Sequence, residues 1–309
     1  MSSSVDCIYI TACSHDARYT RICVASVRYF YPKIPIRLLV GGSLQRGLAE
    51  QLRRYWNIGI ADFPAGNYGW GFVKLEPLFG TPGERFLVLD SDTVITGPIL
   101  DLWAQSQAPF LVDDEGETET RAKEIYYDWE SVRQIDASAR RPELLFNTGQ
   151  WFGTAGILTR DDFAPWIEWS MPRKTVPSGY FKNGEQGILN YVINRKVQND
   201  GLQVERRVVM CWPGRSLDGL TAVDISSRTA AARVVHWAGM KRKRQKDMVG
   251  ADLLQLFERE YYKPLPGAEF RRIVAGYYDT FSCCLSDFQM RIRLAKQRYM
   301  PMQKASAAS

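Results

Sequence analysis

Two carboxylates spaced to address a single ion are the first chemical feature of the chain: Asp90-Ser91-Asp92. In an extended segment residues i and i+2 project to the same side, so both acids can meet one hard cation. Oxygen donors of this kind suit Mn²⁺ or Mg²⁺, ions commonly shared with substrate phosphates. His236 is one of 2 histidines, and a neutral imidazole can complete such a site; an imidazole satisfied by a backbone carbonyl is the competing reading. Gly239 permits close backbone approach, and the basic run Lys241 to Lys246 can neutralise a diphosphate, although a solvated basic face is the plainer interpretation of a charge run. Asn147, Glu185, Gln186 and Lys74 complete the set. Singly they are ordinary: a turn residue, an acid in a first helical turn with its amide neighbour, and a surface helix lysine.

The elements that must position these groups follow from periodicity. Arg85-Phe-Leu-Val-Leu89 is the strongest strand of the sequence, apolar without a break from Phe86 on, as a central strand covered on both faces must be, and it delivers Asp90. Ligands of open α/β sheets bind beyond the carboxyl ends of such strands. Val5 to Ala12 predicts a first strand, ending at the polar stretch Cys13-Ser-His-Asp16. Ile22, Ala25, Ser26, Tyr29 and Phe30 recur with helical spacing, and Pro32 and Pro35 close that helix. Ile36 to Val40 is a second strand stopped by Gly41-Gly42, followed by a helix on Leu44, Leu48, Leu52, Tyr55 and Trp56 and a short strand near Ile58 to Ile60. This alternation predicts an α/β fold with a mainly parallel central sheet flanked by helices. Further strands are expected at Phe110 to Val112, within Leu144 to Leu158, and at Arg233 to Val235 leading into His236. Helices are expected at Gly184 to Val192 and on Leu253, Leu254, Phe257 and Tyr261.

With 45% hydrophobic and 12% aromatic residues among 309, disordered and fibrous classes are excluded. No apolar run reaches the roughly 18 residues of a membrane span. Met1 to Asp6 has no secretory pattern, and the 6 cysteines form no C-x-x-C pair, so reduced thiols and a cytoplasmic location are expected. The net charge of +6 is unevenly spread. Residues 261–309 hold eight Lys or Arg against three acids, whereas 113–143 hold ten acids against five bases, the expected variable loop for acceptor recognition. A nucleic-acid binder would be basic throughout, so no nucleic-acid partner is expected. Phe288, Ile292, Ala295 and Tyr299 form one helical stripe among Arg291, Arg293, Lys296 and Arg298, just after Cys283-Cys284. Two readings stand: a basic amphipathic helix docked on an anionic membrane surface through residues 262–304, or a helix packed on the body with its basic face in water.

In order along the chain, Phe72-Val-Lys-Leu75, Phe86-Leu-Val-Leu-Asp-Ser-Asp-Thr-Val94, Phe146-Asn-Thr-Gly149, Gly184-Glu-Gln-Gly-Ile-Leu-Asn190 and Val234-Val-His-Trp-Ala-Gly239 resemble the motif series of GT-A-fold glycosyltransferases. Within that group the chain is most similar to glycosyltransferase family 8, with glycogenin-like spacing, over about residues 5 to 245. The resemblance implies a GT-A, Rossmann-like catalytic domain over residues 1–250 and a helical basic C-terminal extension over 251–309. It implies transfer of a hexose, with retention, from a nucleotide-sugar donor, a UDP-sugar by family habit, to a glycan or glycolipid hydroxyl. Asp90, Asp92 and His236 would hold Mn²⁺ or Mg²⁺. Thr11, Ala12, Tyr19, Lys74, Ser91, Gly239 and Lys241 would face the nucleotide. Gln186, Glu185, Asn147 and Lys74 would line the sugar and reaction centre.

Three departures accompany the resemblance. Cys13 replaces a base-reading polar residue, Glu185 replaces the usual aspartate, and the lysine-proline-tryptophan ending after Gly239 is missing. A nucleotidyltransferase also places acids on an α/β sheet, but it would want glycine in the Cys13–Asp16 loop. A non-catalytic sugar-nucleotide-binding or membrane-surface protein is the other alternative.

Overall fold

The computed structural model describes residues 5–278 except Trp70, Glu117, Arg215, Ser216, Asp218, Lys241 and Arg242, and beyond them Thr280, Phe281, Cys283, Leu285 and Ile292. In chain order the strands are β1 (Cys7–Ala12), β2 (Ile36–Val40), β3 (Gly59–Ile60), β4 (Arg85–Leu89), β5 (Thr93–Ile95) and β6 (Phe110–Asp113). They continue as β7 (Gln150–Thr154), β8 (Ile167–Glu168), β9 (Lys174–Thr175), β10 (Val204–Arg207), β11 (Met210–Cys211) and β12 (Val234–His236). The helices are α1 (Ala17–Phe30), α2 (Arg46–Trp56), α3 (Leu100–Ala104), α4 (Glu119–Ile125), α5 (Trp129–Val132), α6 (Arg160–Phe163), α7 (Glu185–Asp200), α8 (Ala222–Ser226) and α9 (Ala251–Tyr262). Residues 268–278 form a further helical stretch.

Seven strands make the central sheet in the order β10-β6-β7-β4-β1-β2-β3. All neighbours are parallel except β7, which runs antiparallel to both β4 and β6. The chain therefore has the mixed, mainly parallel α/β sheet that the strand–helix alternation predicts. Alternate residues of β4 feed two cores: Leu87 and Leu89 join α1, α2 and α9 on one face, and Phe86 and Val88 join α4, α5 and α7 on the other. This explains the unbroken apolar run of that strand, because neither face meets water.

A smaller sheet, β11-β12-β5, has β12 parallel to β11 and antiparallel to β5. Its register pairs His236 with Thr93, and Trp237 N donates to Asp92 O at 3.0 Å. Two segments 143 positions apart in sequence are thereby fastened at one sheet corner.

The acidic segment 113–143 departs from the expected loop. It holds α4 and α5, and Ala122, Tyr126, Tyr127, Trp129 and Val132 enter the core. Thr118 and Asp128 cap the two helices, accepting from Arg121 N and Glu130 N. Asp113 is buried and accepts from Val209 N and Met210 N. Among the described residues five cysteines are free thiols, and no helix is long and apolar enough to cross a membrane.

Candidate active site

The carboxyl end of β4 is where the chemical groups meet. Asp90 leaves the strand with its N–H donating to Gly149 O at 2.8 Å, which ties it to the start of β7. Thr11, near the end of neighbouring β1, donates its hydroxyl to Asp90 Oδ1 at 3.2 Å and accepts Ser91 N at 3.1 Å. Ser91 in turn donates to Asp16 Oδ2 at 3.2 Å. These bonds hold the Asp90–Asp92 turn against the first strand–helix junction, so that its carboxylates are oriented before any ligand arrives.

His236 Nε2 lies 3.4 Å from Asp92 Oδ1 and 3.9 Å from Asp90 Oδ2. One ligand atom from each of these three residues lies within 4.8 Å of the others. An octahedral ion with bonds of about 2.1 Å sets its adjacent donors about 3.0 Å apart, so small adjustments let all three reach one ion. Two carboxylate oxygens and one imidazole nitrogen are also a donor set that Mn²⁺ or Mg²⁺ accepts. The His236 ring packs against Trp212 in a tilted arrangement, with centroids 5.1 Å apart, and its buried Nδ1 makes no hydrogen bond among the described residues. Gly149 is required beside it, because a Cβ there would approach Nδ1 to 2.6 Å.

A second, drier cluster adjoins the first. Lys74 sits on the short 3₁₀ helix Phe72–Phe79, and its ammonium reaches Glu185 Oε1 at 2.5 Å, Asp90 Oδ1 at 3.3 Å and Thr148 Oγ1 at 3.1 Å. Burial alone would pull the Lys74 pKa down, but the Asp90 and Glu185 carboxylates outweigh it and hold it at about 12. Burial pushes the Glu185 carboxyl above the usual carboxylate range, against the pull of Lys74. Glu185 opens α7, where the helix dipole favours an anion, and Gly71, with φ +73°, leaves room for its carboxylate. Gln186 Oε1 accepts Thr148 N at 3.3 Å, and Asn147 Oδ1 accepts Gly149 N at 2.8 Å. Asn190 clamps the same segment through Phe146 N and O, each at 2.9 Å.

The structure thus brings Thr11, Lys74, Asp90, Ser91, Asp92, Asn147, Glu185, Gln186 and His236 to one corner of the sheet. Lys74 is not the surface lysine its local sequence allows, since ion pairing at the base of the site compensates its burial. Ala12 is buried at the end of β1, and Gly239 is an exposed turn residue with φ +74°. Tyr19 is buried, its hydroxyl accepting from Arg18 Nη2 at 2.8 Å and donating to Met248 Sδ at 3.5 Å. Lys241, Cys284 and the stripe residues Phe288, Ala295 and Tyr299, with Arg291, Arg293, Lys296 and Arg298, lie outside the described residues.

Sequence reasoning missed four contributors. Thr148 is the hub of the Lys74–Glu185–Gln186 contacts and lies inside a motif already singled out. Asp16 lies in a loop read only for its lack of glycine. Arg18, mostly buried and donating to Lys243 O at 3.3 Å, and Trp212 carry no local signal.

No protein-family model matches the chain, and no curated protein sequence does. Among solved structures it is similar to the apo structure of the bifunctional glycosyltransferase WbbM, at TM-score 0.54 and 13% identity over 84% of this chain and 50% of that one. It is also similar to the galactosyltransferase LgtC in complex with donor and acceptor sugar analogues, at TM-score 0.51 and 18% identity over 82% and 95% of the two chains. The chain spans half the length of WbbM. At these identities the likeness shows the fold alone, and that fold is GT-A.

Proposed function

We propose that this GT-A chain is a metal-dependent retaining glycosyltransferase of the family 8, glycogenin-like kind, moving a hexose from a nucleotide-sugar donor, a UDP-sugar, to a glycan or lipid-linked acceptor hydroxyl. The observation that carries the proposal is the convergence of Asp90, Asp92 and His236 at the carboxyl end of β4, with the buried Lys74–Glu185 pair at their side. Asp90, Asp92 and His236 would hold Mn²⁺ or Mg²⁺, which when bound neutralises the departing diphosphate. Thr11, Ser91 and Asp16 brace the ligand turn, and Ala12, Tyr19, Gly239 and Lys241 are the further nucleotide-side residues.

Lys74 supplies a cation that stays charged at every physiological pH and balances Asp90 and Glu185. Glu185, Gln186 and Asn147 present polar atoms to the donor sugar. Gln186 is the side chain assigned to the anomeric centre, and an amide is a poor nucleophile. The chemistry therefore favours front-face displacement, in which the leaving phosphate takes up the acceptor proton and no side chain is alkylated.

In this reading residues 1–250 form the catalytic unit and 251–309 its extension, of which α9 packs on α1 through Leu253, Leu254 and Phe257. We assign the protein to the cytoplasm, peripherally attached to an anionic membrane surface through residues 262–304. The support is the apolar face that residues 268–278 and Phe281 leave in solvent. Incubation with a panel of sugar nucleotides and Mn²⁺ tests the function. Release of nucleoside diphosphate is expected, pyrophosphate would indicate nucleotidyl transfer, and binding without turnover a non-catalytic protein.

A further inference from the structure

Arg18, the second residue of α1, is only 8% exposed, yet among the described residues no carboxylate pairs with its guanidinium. An arginine is almost never buried without a counterion. Arg173, buried to a similar degree, follows that rule and pairs with the buried Glu76. The hydrogen bonds of Arg18 go to neutral groups only. Nη2 donates to the Tyr19 hydroxyl at 2.8 Å and to Lys243 O at 3.3 Å, and the guanidinium lies over the Tyr19 ring, 4.6 Å from its centroid. These contacts fix the group in place and cancel none of its charge. Of the five N–H donors of a guanidinium they use the two on Nη2, and the three on Nε and Nη1 bond to none of the described residues.

Two chain segments tie Arg18 to the metal-ligand cluster. Asp16, just before α1, accepts the Ser91 hydroxyl at 3.2 Å, and Ser91 stands between the two ligand carboxylates. Lys243 belongs to the segment that leaves His236, and the Tyr19 hydroxyl pins that segment again at Met248 Sδ, at 3.5 Å. The beginning of a 14-residue helix adds positive potential here, and the cap residue Asp16 makes no side-chain hydrogen bond to it.

We propose that Arg18 binds a phosphate oxygen of the donor's diphosphate through Nε and Nη1, so that the bound anion is the counterion this buried guanidinium otherwise lacks. A preset guanidinium meeting an oxyanion makes charge-assisted hydrogen bonds, stronger than those between neutral groups. An arginine kept only to tie residues 240–248 to α1 needs no more than its Nη2 bonds, and burying its charge without a partner would be a pure cost. The same two bonds make the site responsive to that segment, because Lys243 O and the phosphate are held by one planar group. The inference rests on the reading of this corner as a nucleotide-sugar site and adds a phosphate ligand that neither motif order nor spacing announces.

The test is calorimetric titration of the full chain with inorganic pyrophosphate in millimolar Mg²⁺, a probe that carries the diphosphate without base or sugar. The variants are Arg18→Gln, Arg18→Lys and, as a control for net charge, Arg46→Gln, whose side chain is 93% exposed and pairs with Glu50 on α2. Arg18→Gln is expected to weaken pyrophosphate binding about tenfold or more, Arg18→Lys to recover part of that loss by keeping a cation, and Arg46→Gln to stay within about twofold of the wild type. Binding of Mn²⁺ alone, titrated on the same preparations, is expected to be unchanged within about twofold in Arg18→Gln, a result that a general collapse of the corner would not give. No pyrophosphate binding by the wild type, near wild-type binding by Arg18→Gln, equal losses in Arg18→Gln and Arg46→Gln, or Arg18→Lys no better than Arg18→Gln would overturn the assignment. So would a loss of Mn²⁺ affinity in step with the loss of pyrophosphate affinity. Nucleoside diphosphate release from sugar nucleotides, measured on the wild type, reports the catalytic reading separately: pyrophosphate binding through Arg18 without such release would contradict sugar transfer and not the anion site.

Discussion

Lys74→Met keeps the side chain's length and removes its charge from the most tightly packed part of the site. The lost ammonium lies 2.5 Å from Glu185 and 3.3 Å from Asp90, with Lys74 6% and Glu185 1% exposed. The rise of Lys74 from 10.5 to about 12 corresponds to about 2 kcal/mol in favour of the charged form. Deleting the cation costs more, because two carboxylates remain without their counterion; the expected loss is roughly 3–5 kcal/mol at neutral pH. For a chain of this size that is a fall in Tm of roughly 6–10 °C. The loss depends on pH with a defined sign. Burial already raises Glu185 above 4.5, and without Lys74 it rises further. A carboxyl with a raised folded-state pKa favours folding below its unfolded value, and that contribution disappears as pH climbs through the folded value. The deficit of the variant therefore shrinks as pH is lowered from neutral toward about 5. Thermal unfolding followed by circular dichroism across this range measures it, alongside Lys74→Met/Glu185→Gln, which removes the stranded charge and is expected to recover at least half of the loss. A deficit that is flat in pH or grows with acid, or a double variant no better than the single one, refutes the buried-pair reasoning.

Three further outcomes are expected. His236→Ala weakens Mn²⁺ binding in calorimetric titration tenfold or more while shifting Tm only slightly; a large Tm drop with unchanged affinity would make the histidine structural. Gly149→Ala, whose Cβ would press on the His236 ring at Nδ1, lowers Mn²⁺ affinity in the same titration although all three ligands are intact. Gly71→Ala requires φ near +73° of an alanine and crowds the Glu185 carboxylate, so chemical denaturation should register a loss of about 1–3 kcal/mol.

The long central strands were legible because burial on both faces leaves a continuous apolar run with sharp ends. β2 and β4 match their sequence limits, bounded by Pro35 and Gly41 and by Glu84 and Asp90. The small sheet was legible only in part. β5, β11 and β12 have two or three residues each, too few for a period to register, and the pairing of His236 with Thr93 is a contact between distant segments. The metal-ligand candidates could be named from spacing and motif order, whereas the bonds that orient them could not. Lys74 shows why: nothing local distinguishes a lysine in water from one enclosed by Asp90, Glu185 and Thr148. The helices within 113–143 were hidden by ten acids that mask a handful of core aromatic residues, and their caps, Thr118 and Asp128, sit among those same polar residues.

The central claim is that the carboxylates after β4 serve sugar transfer through a shared cation. Its most direct test is the rate of nucleoside diphosphate release from the preferred sugar nucleotide as a function of Mn²⁺, for the wild type and for Asp92→Asn, which keeps shape and removes one anionic ligand. The account predicts a metal-dependent wild type and an Asp92→Asn variant that melts normally yet loses turnover by about 100-fold or more even with saturating Mn²⁺. Near wild-type turnover in that variant, or wild-type turnover unaffected by chelation of all divalent metal, would contradict it.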